Sequence, residues 1–328
     1  MSEFPRAQLA ERVAALARDG IYVGTSSWKY EGWLGLIYSP EKYLRYFKTS
    51  PPKLQKDRFQ RTCLAEYAQT FKTVCLDAGF YQFPTAKLLD GYFSQVPADF
   101  RMSLKVTEDI TVKKFPNLPR YGKRAGQIND RFLDVDLFVA NFLTPLEPYR
   151  AQIGTLFFEF SQFRADDWER GREFVAYLDG FLDKLPKGWD YSVEIRNESL
   201  LHPRYFEVLR QNGAAHTLNS WSRMPPVGEQ MRMIGVETAD FCSARFLLRP
   251  GRNYEQAVEA FSPYKEIKEP NAEARQSLAK LLGRATFSRA RRRYIYVNNR
   301  LEGCAPWTIV AALEAAVAEA GGPEFRRA

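Results

Sequence analysis

Histidine is nearly missing from this chain: His202 and His216 are its two copies in 328 residues. A His-built metal site and Ser-His-Asp chemistry each have few parts to draw on, so carboxylates, lysine, arginine and amides must carry any chemistry. Cysteine is sparse as well. Cys63, Cys75, Cys242 and Cys304 are scattered without Cys-x-x-Cys spacing, which argues against a zinc site and a disulfide framework and points to a reducing compartment. No apolar run approaches about 18 residues. The opening residues carry Glu3, Arg6, Glu11, Arg12, Arg18 and Asp19 where a signal peptide would be apolar. These absences predict a soluble, cytoplasmic protein with no membrane partner. The Gly-x-Gly-x-x-Gly fingerprint is missing after every strand-like segment, so there is no nicotinamide or flavin motif.

What is present is core material. The composition is 45% hydrophobic and 14% aromatic, and a chain of this size can bury roughly 75% of its unfolded surface. Its length suits one closed α/β barrel or two ordinary domains. Basic residues number 47 against 39 acidic, a formal charge of +8, which makes anionic partners worth testing. Oligomeric state has no signature.

Leu9, Val13, Leu16 and Ala17 recur at helical spacing and stop at Gly20, predicting an N-terminal helix within 1–20. Strand-like segments follow at about 21–25, 73–77, 100–107, 153–160, 190–196, 214–219, 241–248 and 293–299. Helical patterns lie between them at about 41–47 and 59–71, 85–95, 129–147, 167–184, 200–212 and 271–289, and after the last strand at 306–320. The link between the sixth and seventh strands, with Pro225-Pro226, is the weakest. A doubly wound sheet also alternates, with fewer strands. Eight strands predict a parallel (β/α)8 TIM-type barrel preceded by an extra helix, as one domain over 1–328, with long loops at 34–58 and 108–128 on its C-terminal face.

Strand side chains alternate between faces. Leu156, Phe158 and Phe160 oppose Thr155, Phe157 and Glu159; Val193 and Ile195 oppose Ser192, Glu194 and Arg196; Met102, Leu104 and Val106 oppose Arg101, Ser103, Lys105 and Thr107. Likewise Val74 and Leu76 oppose Cys75 and Asp77, Cys242, Ala244 and Phe246 oppose Ser243 and Arg245, and Ile295 and Val297 oppose Tyr294, Tyr296 and Asn298. With the apolar sets against helices, Asp77, Lys105, Glu159, Glu194, Arg196 and Arg245 point inward near the strand C-termini, where barrel enzymes build their sites. Two readings follow: an ion-paired core, or a polar interior ready for a ligand. Desolvation makes a purely stabilising buried network expensive, which favours the second.

Loops on the same face add Lys113, Lys114, Arg120, Lys123 and Arg124 with no acid between 112 and 127, and Trp28, Tyr30 and Trp33 open a lysine- and arginine-rich insertion. Aromatics among cations suit stacking a sugar or base while neutralising phosphate; a solvated basic surface over core aromatics is the plainer reading. The run Arg289-Ala290-Arg291-Arg292-Arg293 resembles a nucleic-acid patch but precedes the eighth strand, at the opposite face. His216, opposite in parity to Thr217 and Asn219, reads as structural, and His202 as a capping or surface residue. Cys75 is a weak nucleophile candidate beside Asp77.

The ordered motifs resemble the YecE-like proteins, domain of unknown function 72, across about 21–315. Gly24-Thr25-Ser26-Ser27-Trp28-Lys29-Tyr30 with Trp33 is similar to the family's opening signature, and Phe80-Tyr81 with Pro84 to its Phe-Tyr-x-x-Pro segment. Lys105, Glu194-x-Arg196, Arg245, and Asn298-Asn299 with Gly303 and Ala305 fall where the family carries the same types. The resemblance implies a TIM-type barrel and these site positions, without a reaction. This chain departs at Cys75 and Asp77, where the family has Glu-x-Asn, at Glu159 and Ser161, where it has Gln-x-Pro, and at Leu247, where it has histidine.

The expected function is an enzyme using acid–base chemistry on a small anionic ligand, phosphorylated sugar- or nucleotide-like. Glu194 is expected as acid or base, its pKa tuned by the ligand-site residue Arg196, Lys105 as electrophile, neutral base or imine-forming amine, and Arg245 as the holder of an anionic group. Asp77 and Glu159 would position hydroxyls or, with Glu194, bind Mg²⁺ or Mn²⁺. Trp28, Tyr30, Trp33 and Tyr81 would stack on the ligand, and Asn219, Asn298 and Asn299 supply neutral hydrogen bonds. The alternatives are nucleic-acid binding or metal-dependent cleavage, and a non-catalytic ligand- or partner-binding barrel.

Overall fold

The period-two segments form eight parallel strands: β1 Ile21–Ser26, β2 Thr73–Leu76, β3 Arg101–Lys105, β4 Ile153–Phe160, β5 Tyr191–Ile195, β6 Ala215–Ser220, β7 Phe241–Phe246 and β8 Arg292–Val297. Each pairs with its neighbour in sequence, and β8 closes on β1 through Ile21↔Arg293 to Thr25↔Val297, giving a closed barrel with flanking helices, a (β/α)8 TIM-type fold. This computed structural model describes residues 3–320 apart from 49, 78–79, 165–166, 169–170, 284–285 and 288. The parts of the expected domain and helices that fall on 1–2, 169–170, 284–285, 288 and 321–328 lie outside the described residues.

The N-terminal helix spans Arg6–Arg18 and buries Leu9 and Val13, the positions its spacing selects. The last helix, Ala305–Ala320, matches its pattern, while several between them are shorter than theirs. The 129–147 pattern becomes an α-turn at Val135–Phe138, a wide π-turn at Val139–Leu143 and a tight 3₁₀ segment at Thr144–Gln152, because Pro145 and Pro148 cannot supply the N–H groups of a regular ladder. The 41–47 pattern is helical only over Pro40–Tyr43; Leu44 and Arg45 then pair antiparallel with Leu54 and Lys53. The 271–289 pattern forms a helix at Ala272–Leu282 and stops at Gly283.

The apolar strand faces, including Leu104, Phe158, Ile195, Phe246 and Val297, join the shell core under the helices. The interior is different from a Val/Ile/Leu plug. Phe157, Tyr294, Tyr296 and Phe241 fill the lower barrel with Cys75 and Ala215. Above and between them hydroxyls satisfy one another: Tyr296 donates to Ser103 Oγ at 2.6 Å, Thr155 and Ser192 meet at 2.7 Å, and Thr217 and Ser243 at 3.0 Å. This packed base supports the charged upper layer.

Candidate functional site

Arg245 enters from β7 and occupies the centre of the C-terminal mouth. Its Nη1 lies 2.7 Å from Glu194 Oε2 and 3.0 Å from Glu159 Oε2, while Nη2 lies 3.2 Å from Asp77 Oδ1. Glu159 Oε2 also meets Lys105 Nζ at 2.7 Å and Arg196 Nη2 at 2.8 Å. Arg196 returns to Glu194 Oε1 through Nε at 3.2 Å and Nη2 at 3.0 Å. All six inward-pointing ionic residues therefore belong to one network. Local register explains it: Glu159 and Glu194 are paired positions of β4 and β5, so two carboxylates stand side by side and need a shared cation.

Burial opposes the ionisation of Glu159, but Arg196, Lys105 and Arg245 outweigh it and hold the carboxyl well below the usual range. Burial likewise disfavours the charged Arg245, yet Glu194, Cys75, Asp77 and Glu159 keep its guanidinium firmly protonated. Glu159 is therefore an anion that orients cations and a poor proton donor. Exposure divides the network into a floor and a rim: side chains of Glu194, Glu159 and Arg245 are 0%, 3% and 3% exposed, whereas Lys105, Arg196 and Asp77 reach 10%, 11% and 35%. Glu194, expected as the acid or base, has both oxygens engaged by guanidinium groups and no open surface; Asp77 is the carboxylate a ligand can reach. Lys105 Nζ lies 2.7 Å from Glu159 Oε2 and 3.9 Å above the Phe80 ring, so both neighbours fix its position at the rim.

The divalent-metal expectation does not fit. Asp77, Glu159 and Glu194 all turn oxygens toward Arg245, so a guanidinium fills the position between them. Among the described residues no group of three or more His, Cys, Asp or Glu side chains is arranged to hold a metal ion.

The aromatic expectation is corrected in part. Trp28 and Trp33 are core residues, 2% and 0% exposed: Trp28 meets Tyr92 edge-on at 5.2 Å, and Trp33 packs against Tyr30, Tyr38 and Tyr67. They anchor the long β1 loop and leave no face for stacking. Tyr30 is partly buried against Trp33 and Tyr264, and burial pushes its phenol up. Tyr81 is 58% exposed beneath the Arg120 guanidinium, 5.0 Å above its ring. The sequence reading missed Trp221, whose ring lies 3.7 Å from the Arg196 guanidinium and fixes it in place.

The neutral residues form the other half of the mouth. Asn219 donates to Ile195 O and Thr217 O, Asn298 accepts from Arg300 N, and Asn299 accepts from Ala305 N. Yet Ser26 Oγ, Asn219 Oδ1, Arg245 Nε, Asn298 Nδ2 and Asn299 Nδ2 are buried without hydrogen-bond partners. Ser26, Asn298, Arg245 and Asn219 stand at the C-terminal ends of the neighbouring strands β1, β8, β7 and β6. The sequence signal for Ser26 is the Tyr22, Gly24, Ser26 alternation of β1.

Remaining candidates are structural. His216 is buried on the outer face with Nδ1 3.1 Å from Tyr205 OH, and burial pushes its pKa down to about 4. Burial also pushes the Cys75 thiol up, disfavouring the thiolate. From the arginine run, Arg293 donates to the carbonyls of Leu281 and Gly283, and Arg292 pairs with Asp190 at 3.1 Å.

Comparison with solved structures finds the same architecture. A DUF72 family protein from Thermotoga maritima matches with a TM-score of 0.58 and 20% identity, over 91% of this chain and 99% of its own. One from Enterococcus faecalis matches with a TM-score of 0.57 and 17% identity, over 90% and 96%. A search of curated protein sequences finds no match. The family model described as protein of unknown function DUF72 matches residues 22–326, and this chain belongs to that family.

Proposed function

We propose that this barrel is an enzyme that binds a small anionic ligand, phosphorylated sugar- or nucleotide-like, at the C-terminal mouth and acts on it by acid–base chemistry. The observation that carries the reading is a charged layer sealed below and open above. Lys105, Arg196 and Asp77 reach the surface, beside a wall of buried polar atoms that lack partners. A layer serving stability alone would satisfy its members, since each stranded buried polar group costs about 1–3 kcal/mol.

Lys105 and Arg196 would hold anionic or developing negative oxygens, their positions fixed by Glu159 and Glu194. Asp77 would move the proton. Arg245 holds its Oδ1, leaving Oδ2 outside the network. Ser26, Asn219, Asn298 and Asn299 would meet hydroxyls or amides of the ligand. A nucleic-acid ligand is the second reading, favoured by Arg120 over exposed Tyr81; among the described residues no carboxylate cluster is arranged to hold the metal that cleavage would need.

A thermal-shift screen of phosphorylated metabolites, nucleotides and single-stranded oligonucleotides, each at two salt concentrations, tests the reading. Stabilisation by a small phosphorylated compound, followed by turnover that Asp77→Asn abolishes, supports it. Steeply salt-dependent oligonucleotide binding alone supports the second reading. Tight binding without turnover, indifferent to Asp77→Asn, makes the barrel a binding protein.

A further inference from the structure

Beside the ionic mouth lies a second concavity that the network does not use. It is a cleft of about 440 Å³ between the segment after β3 and the segment after β4, lined by Thr111, Lys113, Lys114, Arg120 and Arg164 among others, and its size falls within the usual range of small-molecule sites, about 300–1,000 Å³. Among the described residues one acid, Asp167, is in the lining, and its Oδ2 accepts the backbone N–H of Arg164 at 2.7 Å.

Arg120 pairs with Glu108 at 3.5 Å, whereas Lys113 is held by rings. Lys113 Nζ rests 4.7 Å over the Trp168 ring, with Phe132 and Tyr177 at 5.5 and 5.6 Å, contacts that orient an ammonium and leave its charge unpaired. Among the described residues no carboxylate lies within ion-pair distance of the Lys113 or Arg164 side chain. Thr111 is 1% exposed, lines the cleft, and has its Oγ1 buried with no partner. A stranded hydroxyl beside Lys113 and Arg164 matches the needs of an oxyanion, which takes a neutral hydrogen bond and charge-assisted ones together. Phe80 joins the two places: its ring lines the cleft and lies under Lys105 Nζ of the mouth.

We propose that this cleft is a phosphate-binding subsite, holding the anionic end of the ligand whose reacting end meets Asp77, Lys105 and Arg196. The assignment rests on the proposed function for the identity of that second end. The phosphate contacts are Thr111 Oγ1, Lys113 and Arg164, with Arg120 at the outer lip.

Calorimetric titration of the full chain with inorganic phosphate at constant ionic strength tests it. Arg164→Met and Lys113→Met should each weaken phosphate at least tenfold, Thr111→Val should weaken it severalfold with the fold unchanged by circular dichroism, and Lys72→Met, at the far end of the barrel, should change nothing. A wild-type chain that does not bind millimolar phosphate overturns the subsite. So does phosphate binding that survives both cleft variants and is lost in Lys105→Met, a result that places the anion in the mouth and leaves the acid–base reading standing. Oligonucleotide binding lost in the cleft variants, with no binding of inorganic or sugar phosphate, also overturns it, by making the cleft a backbone contact for nucleic acid. Loss of phosphate in the cleft variants without turnover of any phosphorylated compound keeps the subsite and removes the proposed chemistry.

Discussion

Arg245 and Glu194 face each other from β7 and β5 at 2.7 Å, one 3% and the other 0% exposed, and the same guanidinium nitrogen reaches Glu159 at 3.0 Å. Arg245 is thus, with Arg196, one of two guanidinium groups that two adjacent carboxylates share. Replacing it by methionine keeps much of the volume, leaves Glu194 Oε2 buried without its cation and sets three carboxylates against Lys105 and Arg196 alone, so Arg245→Met should lower stability by about 3–5 kcal/mol, the usual cost of breaking a buried pair. Urea unfolding measures this; a loss below about 1 kcal/mol would mean that the network does not hold the upper barrel together.

Lys105→Met should behave differently. It also removes a contact to Glu159, but Arg196 and Arg245 remain on the same oxygen, so no buried charge is left uncompensated. The expected stability loss is about 1–2 kcal/mol, with ligand binding abolished. Parallel unfolding and binding curves separate the two variants. If Lys105→Met unfolds as readily as Arg245→Met, Lys105 belongs to the structural floor.

Acid should destabilise the protein in two stages. His216 has its pKa pushed by burial from 6.5 to about 4, so between those values the unfolded chain binds the proton that the folded chain refuses, and stability present above pH 6.5 is lost as pH falls toward 4. At 1.36 kcal/mol per unit the loss is about 3 kcal/mol. Glu159, depressed below its ordinary 4.5, adds a further loss in the same direction below that pH. Unfolding curves from pH 7 to 4 should show the first stage, and His216→Gln should flatten it; a wild-type profile level over that range removes the argument.

Gly24 explains part of the opening motif by packing. A Cβ there would lie 2.2 Å from Thr73 O, on the seam where β1 meets β2, and that carbonyl already accepts Tyr67 OH at 3.0 Å. Gly24→Ala should therefore cost about 1–3 kcal/mol or more by overpacking, read as a lowered Tm. An unchanged Tm would show that the seam can open without cost.

The barrel was legible because its strands carry two clear faces: Val193 and Ile195 against Glu194, Leu104 and Val106 against Lys105. The same parity placed the six ionic side chains in one layer. Which of them meet water was not legible. Exposure depends on how the loops lie over the mouth, so Glu194 and Asp77 look equivalent in sequence and differ between sealed and open in the fold. The tryptophans misled for a related reason: Trp28 and Trp33 sit in a loop rich in cations, yet that loop folds back and spends both rings on its own anchoring. The cleft was visible only as an acid-free stretch at 112–127; its other wall, with Arg164, comes from a distant segment.

Asp77→Asn is the sharpest test of the chemistry. Asparagine keeps the size of the side chain and an oxygen for Arg245 Nη2, now 3.2 Å from Oδ1, so the fold and the ligand affinity should change little. The amide cannot take or give the proton. Once a substrate is found, kcat should fall by about 10²–10⁴ with KM nearly constant. Glu194→Gln should show the opposite balance, because it leaves Arg196 and Arg245 short of an anion in a sealed site: a clear loss of stability, with activity falling through misplaced cations. Should Asp77→Asn keep the wild-type rate, the proton is moved by another group and the open rim serves binding alone.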